Sequence, residues 1–241
     1  MVPYEGSMFR PPSEADAFIL QATIGCSWNH CTYCAMYRDK SFRVRPGGEL
    51  VADIRSAARF HGDEVTKVFI ADGDALTMAT DLWLRVLEEC RAVFPRLKRV
   101  SCYATARNVL QKSASELCAL RQAGLRMLYL GPESCDDVTL RRIAKGDDFA
   151  SHAEAAGKAH AADLKLSVIA LLGIASERSQ EHAEATARLV TRMDPRFFSV
   201  LTLTVVPGTP LHRLEQSGRF RVPSSAQMLG ELRTMVDLAR P

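Results

Sequence analysis

The chain has 241 residues, 47% of them hydrophobic and 24% charged, which suits one large soluble domain or two small ones. Its 31 basic residues nearly balance 28 acidic ones, so a net charge of +3 gives no argument for nucleic-acid binding. The sequence has neither a secretory leader nor the roughly 18 consecutive apolar residues of a membrane span, and we expect a cytoplasmic protein that does not associate with membranes.

Six apolar segments alternate with helical patterns, which predicts an α/β fold with a parallel sheet. The run Leu166–Leu172 is almost continuously apolar, as is typical of a strand buried on both faces. The alternation permits a partial barrel or a doubly wound sheet, and in both the active site lies at the carboxyl ends of the strands. The predicted strands are Phe18–Ile24, Lys67–Ala71, Arg99–Ala104, Met127–Leu130, Leu166–Leu172 and Phe197–Thr204.

Helical periodicity and capping residues mark the segments between these strands. Apolar residues between Trp83 and Phe94 share one helical face. Ser113 and Glu116 have the spacing of a capping box, Gly124 is suited to end that helix, and Ser179 is a predicted N-cap. The predicted helices are Glu49–Phe60, Asp81–Phe94, Ser115–Ala123, Asp137–Lys145, Ala153–Ala162, Gln180–Met193 and Ala226–Leu238.

Three of the seven cysteines lie within nine residues, directly after the first strand, in the sequence GCSWNHCTYC. An odd number of cysteines in a long chain argues against a disulfide framework, so the group indicates a metal or redox site in a reducing compartment. Cys26, Cys31 and Cys34 have the spacing C-x4-C-x2-C. Because a [4Fe–4S] cluster normally takes four cysteines, a cluster held by three would leave one iron open to another ligand.

Two other interpretations of these cysteines compete with the iron–sulfur cluster. A structural zinc ion would need His30 as its fourth ligand, but neighbouring side chains such as His30 and Cys31 rarely reach one tetrahedral metal. The sequence also contains no second pair of ligands at zinc-site spacing. The other interpretation is three unliganded core cysteines, which their grouping on one loop disfavours.

The cysteine loop and the following AMYRDKSFRVRP resemble the radical S-adenosylmethionine (SAM) superfamily, with the resemblance covering residues 18–215. The chain is similar to its branch of elongator-type, methylthiotransferase-type and coproporphyrinogen-oxidase-like enzymes. The usual spacing there is C-x3-C-x2-C with an aromatic residue before the last cysteine, so the first gap is one residue longer here, while Tyr33 occupies the aromatic position. The resemblance implies a six-stranded partial (β/α)6 barrel like an incomplete TIM barrel, a [4Fe–4S] cluster on the three cysteines, and SAM on the remaining iron.

The resemblance also implies a contact to SAM after the second strand. Asp72, Gly73 and Asp74 stand where the superfamily has a Gly-Gly-Glu-like motif that contacts the amino group of the cofactor. A carboxylate suits an ammonium group, and a glycine lets the backbone approach closely. The structural alternative is an ordinary Asp-Gly turn before a helix.

Two later strand ends are implicated in the same way. The stretch with Glu133 and Ser134 is similar to the G-x-E-S-G-x-D segment of this branch, and these residues would face the ribose or the methionine end of SAM. Gly173 ends a strand whose backbone would flank the adenine. A salt bridge at Glu133 and simple strand termination at Gly173 are the structural alternatives.

The predicted function is radical chemistry, although no residue on the substrate side is assigned. A one-electron donor such as flavodoxin or ferredoxin would reduce the cluster, SAM would be cleaved, and the 5′-deoxyadenosyl radical would take hydrogen from a substrate. We expect a small-molecule substrate rather than nucleic acid, because basic residues are interspersed with acids outside the segment Arg38–Arg45, and because RNA-modifying relatives commonly have an extra domain. The alternatives are a non-catalytic zinc or iron–sulfur module and a degenerate member that binds SAM without cleaving it.

These features predict three parts in the chain. Residues 1–17 form an N-terminal extension, residues 18–215 the SAM-binding barrel, and residues 216–241 a C-terminal helical segment. Related sequences usually continue past that last helix, so the C-terminal part is expected to be truncated or short.

Overall fold

A computed structural model describes residues 4–240 of the chain. Within this range, six of the eight strands form one parallel sheet in the order β1-β4-β5-β6-β7-β8, and the short strands β2 and β3 pair antiparallel. The strands are β1 (Phe18–Gln21), β2 (Thr23–Ile24), β3 (Arg43–Val44), β4 (Lys67–Ala71), β5 (Arg99–Ala104), β6 (Leu125–Glu133), β7 (Lys165–Leu172) and β8 (Phe197–Thr202).

The strand order confirms the predicted partial barrel. Each strand of the sheet lies beside the next one in the sequence, whereas a doubly wound sheet reverses direction at a switch point. β1 and β8 form the two edges of the sheet. The surrounding helices are α1 (Gly47–His61), α2 (Thr80–Val93), α3 (Ala106–Gln111), α4 (Ala114–Ala123), α5 (Asp137–Arg142), α6 (Phe149–Ala161), α7 (Ser179–Met193), α8 (Pro210–Gln216) and α9 (Ser225–Leu238).

The helix signals in the sequence have clear counterparts in the packing. Trp83, Val86 and Leu87 on α2 are fully buried in the core between sheet and helices, as their spacing predicted. Ser113 and Glu116 form a capping box at the start of α4. The apolar residues thus set the buried face of α2, and the capping box sets the start of α4. No helix within residues 4–240 has both the length and the apolar content needed to cross a bilayer.

Several predicted boundaries were wrong. The predicted strand Phe18–Ile24 divides, because Thr23 and Ile24 leave β1 and pair with Val44 and Arg43. The predicted helix Asp137–Lys145 ends at Arg142. The predicted N-cap Ser179 is already helical. The helices α3 and α8 were not predicted, because their six and seven residues are too short for a periodic pattern.

The N-terminal extension packs into the base of the barrel. Glu14 is fully buried, and one of its carboxylate oxygens accepts hydrogen bonds from Arg99, Ser101 and Tyr129 at 2.6–2.9 Å. At the other end of the chain, α9 packs on α7 through Met235, which is fully buried. Residues 1–3 of the extension and residue 241 lie outside the described range.

Candidate cofactor-binding site

The three cysteines lie on the loop between β2 and β3, next to the carboxyl end of β4. We call residues 25–34 the cluster loop; its cysteines are free and partly buried. The amide of Gly73 donates to the carbonyl of Gly25 at 3.0 Å. A Cβ atom on Gly73 would lie 2.6 Å from the Cβ of Cys26. The end of β4 and the cluster loop are therefore in direct contact, which only glycine permits.

The two aspartates after β4 hold the cluster loop. Asp72 is fully buried, and its Oδ2 accepts from Lys40 Nζ at 2.7 Å and from the Gly25 amide at 3.0 Å. Asp74 accepts the amide of Ser27 at 2.9 Å and its hydroxyl. Burial raises the pKa of Asp74, and the hydrogen bonds from Ser27 oppose that shift. Both carboxylates thus fix loop backbone beside Cys26.

The outer side of the cluster loop is attached to the turn that follows α5. The amide of Thr32 donates to Ile143 at 2.8 Å, and the indole of Trp28 donates to Ala144 at 2.8 Å. Arg38 donates to the carbonyl oxygens of both Cys31 and Cys34. The loop is therefore held from two sides, while none of its three thiols is joined in a disulfide.

Glu133 and Lys145 form a partly buried ion pair next to the loop. Lys145 Nζ lies 3.3 Å from Glu133 Oε1 and 3.5 Å from the hydroxyl of Tyr33, the residue before the last cysteine. Burial acts to lower the pKa of Lys145, but the Glu133 carboxylate and the Cys31 thiol outweigh it, so the pKa is raised. Burial also raises the pKa of Tyr33. Both residues are therefore protonated at neutral pH.

Ser134 and Gly173 have protein partners on the helix side of the sheet. The hydroxyl of Ser134, which is fully buried, pairs with Nδ1 of His182 at 2.8 Å. The amide of Gly173 donates to Glu231 on α9 at 2.8 Å, and its Cα faces Met228. The structure thus brings Tyr33, Glu133 and the three residues after β4 to the cluster loop, and directs the side chain of Ser134 and the amide of Gly173 toward α7 and α9.

Protonation couples metal binding to pH at this site. Burial, together with the nearby Asp74 carboxylate, raises the pKa of Cys26 to about 11. Burial also raises the pKa values of Cys31 and Cys34, and the ammonium group of Lys145 opposes both shifts. The free thiols are protonated at neutral pH, so a metal that binds them must displace protons.

The residues at the site fit an iron–sulfur cluster and a polar cofactor. Three unpaired thiols on one loop are the donor set of a cubane with one open iron. Within residues 4–240, no three His, Cys, Asp or Glu side chains converge on a single metal ion. A cubane does not need such convergence, because each thiolate binds a different iron. Asp72 Oδ1 and the Tyr37 hydroxyl are buried without a hydrogen-bond partner among the described residues, as groups that await a ligand would be.

Sequence reasoning missed the cations that organise this site. The sequence predicted Lys145 as the last residue of a helix, and only the fold reveals that it lies past the end of α5 and reaches the cluster loop. The segment 38–45 is rich in basic residues, and the sequence does not reveal that three of them are paired with carboxylates of this chain. Lys40 pairs with Asp72, Arg43 with Glu5, and Arg45 with Glu49 and Asp53.

Comparisons with known proteins agree with this architecture. The chain is 23% identical over 177 residues to the heme chaperone HemW of Bacillus subtilis (strain 168), covering 72% of this chain and 46% of that protein. Among solved structures, methylornithine synthase (PylB) has a TM-score of 0.66 at 17% identity, covering 92% of this chain and 63% of that one. Coproporphyrinogen III oxidase (HemN) from Escherichia coli has a TM-score of 0.67 at 15% identity, covering 92% and 51%.

This chain spans less than two thirds of the length of each of these three proteins. The family profile described as the Radical SAM superfamily matches residues 20–190, which run from within β1 to within α7 and include the cluster loop. Members of that superfamily bind a [4Fe–4S] cluster and SAM, and the donor set described above suits both. The chain belongs to the radical SAM superfamily.

Proposed function

We propose that this protein is a radical SAM enzyme that abstracts a hydrogen atom from a small-molecule substrate. The observation that supports this most strongly is the cluster loop, which presents three free thiols at the carboxyl end of a partial barrel. When bound, the cluster and SAM supply the chemistry, in which one electron splits the sulfonium to methionine and a 5′-deoxyadenosyl radical that takes hydrogen from the substrate.

The residues of this chain would bind and orient those groups. Cys26, Cys31 and Cys34 are the proposed iron ligands. We assign the SAM site to the groups that meet beside them, with Asp72 and its unpartnered oxygen at its centre. The proposed cofactor-binding residues are Tyr33, Asp72, Gly73, Asp74, Glu133, Ser134 and Gly173. Ser134 and Gly173 would act by positioning β6 and β7, because their polar groups are bonded to His182 and Glu231.

The electron would come from a low-potential carrier such as flavodoxin or ferredoxin, and the reducing cytoplasm is the proposed compartment. A small substrate is favoured over RNA because three of the four basic side chains beside the cluster loop are paired with carboxylates of this chain. Because these side chains are already neutralised, little positive charge remains to bind the phosphates of an RNA. Tight, strongly salt-dependent binding of bulk transfer RNA would contradict this choice.

Cluster loading tests the proposal. Protein purified without oxygen should carry about four irons with matching sulfide per chain, and the reduced form should give an electron paramagnetic resonance (EPR) signal that changes when SAM is added. Cys31→Ala should remove the cluster. Cys118→Ala is the matched control, because Cys118 lies on α4 outside the site and should leave loading intact. A full iron load in the Cys31→Ala protein would refute the ligand assignment.

A second candidate is a non-catalytic member of the superfamily. It is favoured by the match to HemW, which is named a heme chaperone. Such a protein would hold the cluster and SAM on the same residues without splitting the sulfonium. Formation of 5′-deoxyadenosine from SAM on the reduced, cluster-loaded protein separates the two candidates.

A further inference from the structure

The turn after α5 delivers one lysine to the cluster loop. Thr32, beside Cys31, donates to the carbonyl of Ile143, and the Trp28 indole donates to that of Ala144, both at 2.8 Å. A Cβ atom on Gly146 would lie 2.6 Å from the Trp28 ring. Three contacts therefore fix residues 143–146 on the loop, and Lys145 lies at their centre.

The side chain of Lys145 points into the site rather than to solvent. It is 12% exposed, and its ammonium group lies 3.5 Å from the hydroxyl of Tyr33, between two cluster ligands in sequence, and 3.3 Å from Glu133. Because residues 143 and 144 are hydrogen-bonded to Thr32 and Trp28, the charge of Lys145 is held beside the loop that bears Cys31 and Cys34. Glu133 is 15% exposed and carries the opposite charge at the same place, 3.3 Å from Lys145.

Fixed charges near a redox group shift its reduction potential, because the charge of the group changes when it is reduced. Reduction of a [4Fe–4S] cluster adds one electron and no proton needs to accompany it, so a nearby cation stabilises the reduced form and a nearby anion destabilises it. In a partly buried site the effective dielectric constant is low, and such terms are larger than in water. Net charge, hydrogen bonds and solvent exposure are the known determinants of cluster potentials.

We propose that Lys145 and Glu133 form a pair of opposed charges that sets the reduction potential of the cluster. Lys145 raises the potential toward values that a biological one-electron donor reaches, and Glu133 limits that effect. Neither residue is an iron ligand, so both are positioning residues that act on the reduction of the cluster through their charges. The inference rests on the proposed function, since it requires the cluster on Cys26, Cys31 and Cys34.

The test is an anaerobic redox titration of the cluster-loaded protein without SAM. Dithionite and low-potential mediators set the potential, and EPR measures the amount of reduced cluster. Lys145→Met should shift the midpoint to a more negative potential. At the wild-type midpoint, the ratio of reduced to oxidised cluster should fall at least about tenfold, which is 59 mV for a one-electron couple. Glu133→Gln, which has nearly the same shape, should shift the midpoint in the positive direction.

Two control variants separate charge from structure. Lys145→Arg keeps the charge and should stay close to the wild-type midpoint. Lys158→Met removes a lysine on α6 that donates to Leu110, far from the loop in sequence, and should shift nothing. Equal midpoints in wild type and Lys145→Met, or shifts of the same sign in Lys145→Met and Glu133→Gln, would overturn the inference.

The outcome also distinguishes this inference from the proposed function. A wild-type protein that takes up no cluster refutes the proposed function itself. If the wild type takes up the cluster but neither charge variant has a shifted midpoint, only the role of the ion pair is refuted. If Lys145→Met loads no cluster, the Glu133→Gln protein decides, and an unchanged or more negative midpoint in that variant contradicts the inference.

Discussion

At the scale of single residues, Gly73 controls how closely β4 approaches the cluster loop. A Cβ atom there would lie 2.6 Å and 2.9 Å from the Cβ and Cα of Cys26, and Cys26 cannot move away without shifting the loop backbone. Overpacking of this kind typically costs about 1–3 kcal/mol. The loop that suffers the clash is the one that must hold the cluster, so the damage should appear in cluster content as well as in stability.

We therefore predict that Gly73→Ala lowers the iron content per chain and the melting temperature measured by circular dichroism. The control is Gly157→Ala on α6, where a Cβ atom would meet nothing within 4 Å. Alanine in an exposed helix interior is favoured over glycine by roughly 0.5–1 kcal/mol, so that variant should be as stable as the wild type or more stable. Full cluster content in Gly73→Ala would show that the close contact is not required.

The sequence indicates which residues lie at the site better than it indicates their partners. The family resemblance predicted that Asp72 and Asp74 belong to the cofactor site, and both carboxylates bond loop backbone beside Cys26. Their bonds to Lys40 and Ser27 depend on how two loops fold against each other, and no local pattern encodes that. A side chain such as Lys145 is found only when its partner Glu133 is placed in three dimensions.

At the scale of elements, a buried polar group joins β6, α7 and α9. His182 on α7 is fully buried, with Nδ1 paired to Ser134 and Nε2 at 3.9 Å from the carboxylate of Glu231 on α9. Burial lowers the pKa of His182 to about 4 from 6.5, although the Asp136 carboxylate and the carbonyl of Leu171 oppose the shift. The folded protein therefore keeps His182 neutral at pH values where the unfolded chain is charged.

This difference predicts a dependence of stability on pH. As the pH falls from 6.5 towards 4, the unfolded chain takes up a proton at His182 that the folded protein excludes, so the free energy of unfolding decreases, by roughly 3 kcal/mol at the low end. Above pH 7 this contribution is constant. The pKa of Glu231 is raised chiefly by burial, so this residue stabilises the folded protein as the pH falls, opposite to His182. Its contribution is the same in the wild type and in a His182 variant, so it cancels when the two are compared.

Thermal unfolding of wild type and His182→Gln between pH 5 and 7.5 measures the effect. The melting temperature of the wild type should fall more steeply with decreasing pH than that of the variant, because the variant lacks the titrating group. Parallel curves would mean that His182 is protonated as easily in the folded protein as in the unfolded chain.

Element type and order were more predictable than element boundaries. Alternating apolar runs and helical periodicity located the six strands of the sheet and most of the long helices, because burial of one face or of both faces leaves a repeating pattern. The division of the first predicted strand was not visible, because Thr23 and Ile24 suit any strand, and their change of partner depends on Val44, twenty residues later. The short α3 and α8 are set by capping at Thr105 and Thr209 rather than by periodicity.

At the scale of the whole molecule, the fold and the cysteine loop both indicate that the candidate site lies at the carboxyl end of the sheet. A singly wound parallel sheet presents its loops at one end, and the three cysteines, the residues after β4 and the end of β6 meet there. The alternation of strands and helices predicted that these loops share one end of a parallel sheet, and the resemblance carried by the cysteine motif predicted the partial barrel. It did not predict the substrate, because the barrel interior is formed by side chains from many separate segments.

The measurement that tests the central claim most directly is the fate of SAM on the reduced, cluster-loaded protein. Without oxygen, with dithionite or reduced flavodoxin, mass spectrometry should detect 5′-deoxyadenosine and methionine in equal amounts, and the Cys31→Ala protein should form neither. Slow formation without substrate would be sufficient. A wild-type protein with a full cluster that leaves SAM intact under every reductant would contradict the account and identify the chain as a non-catalytic member of its superfamily.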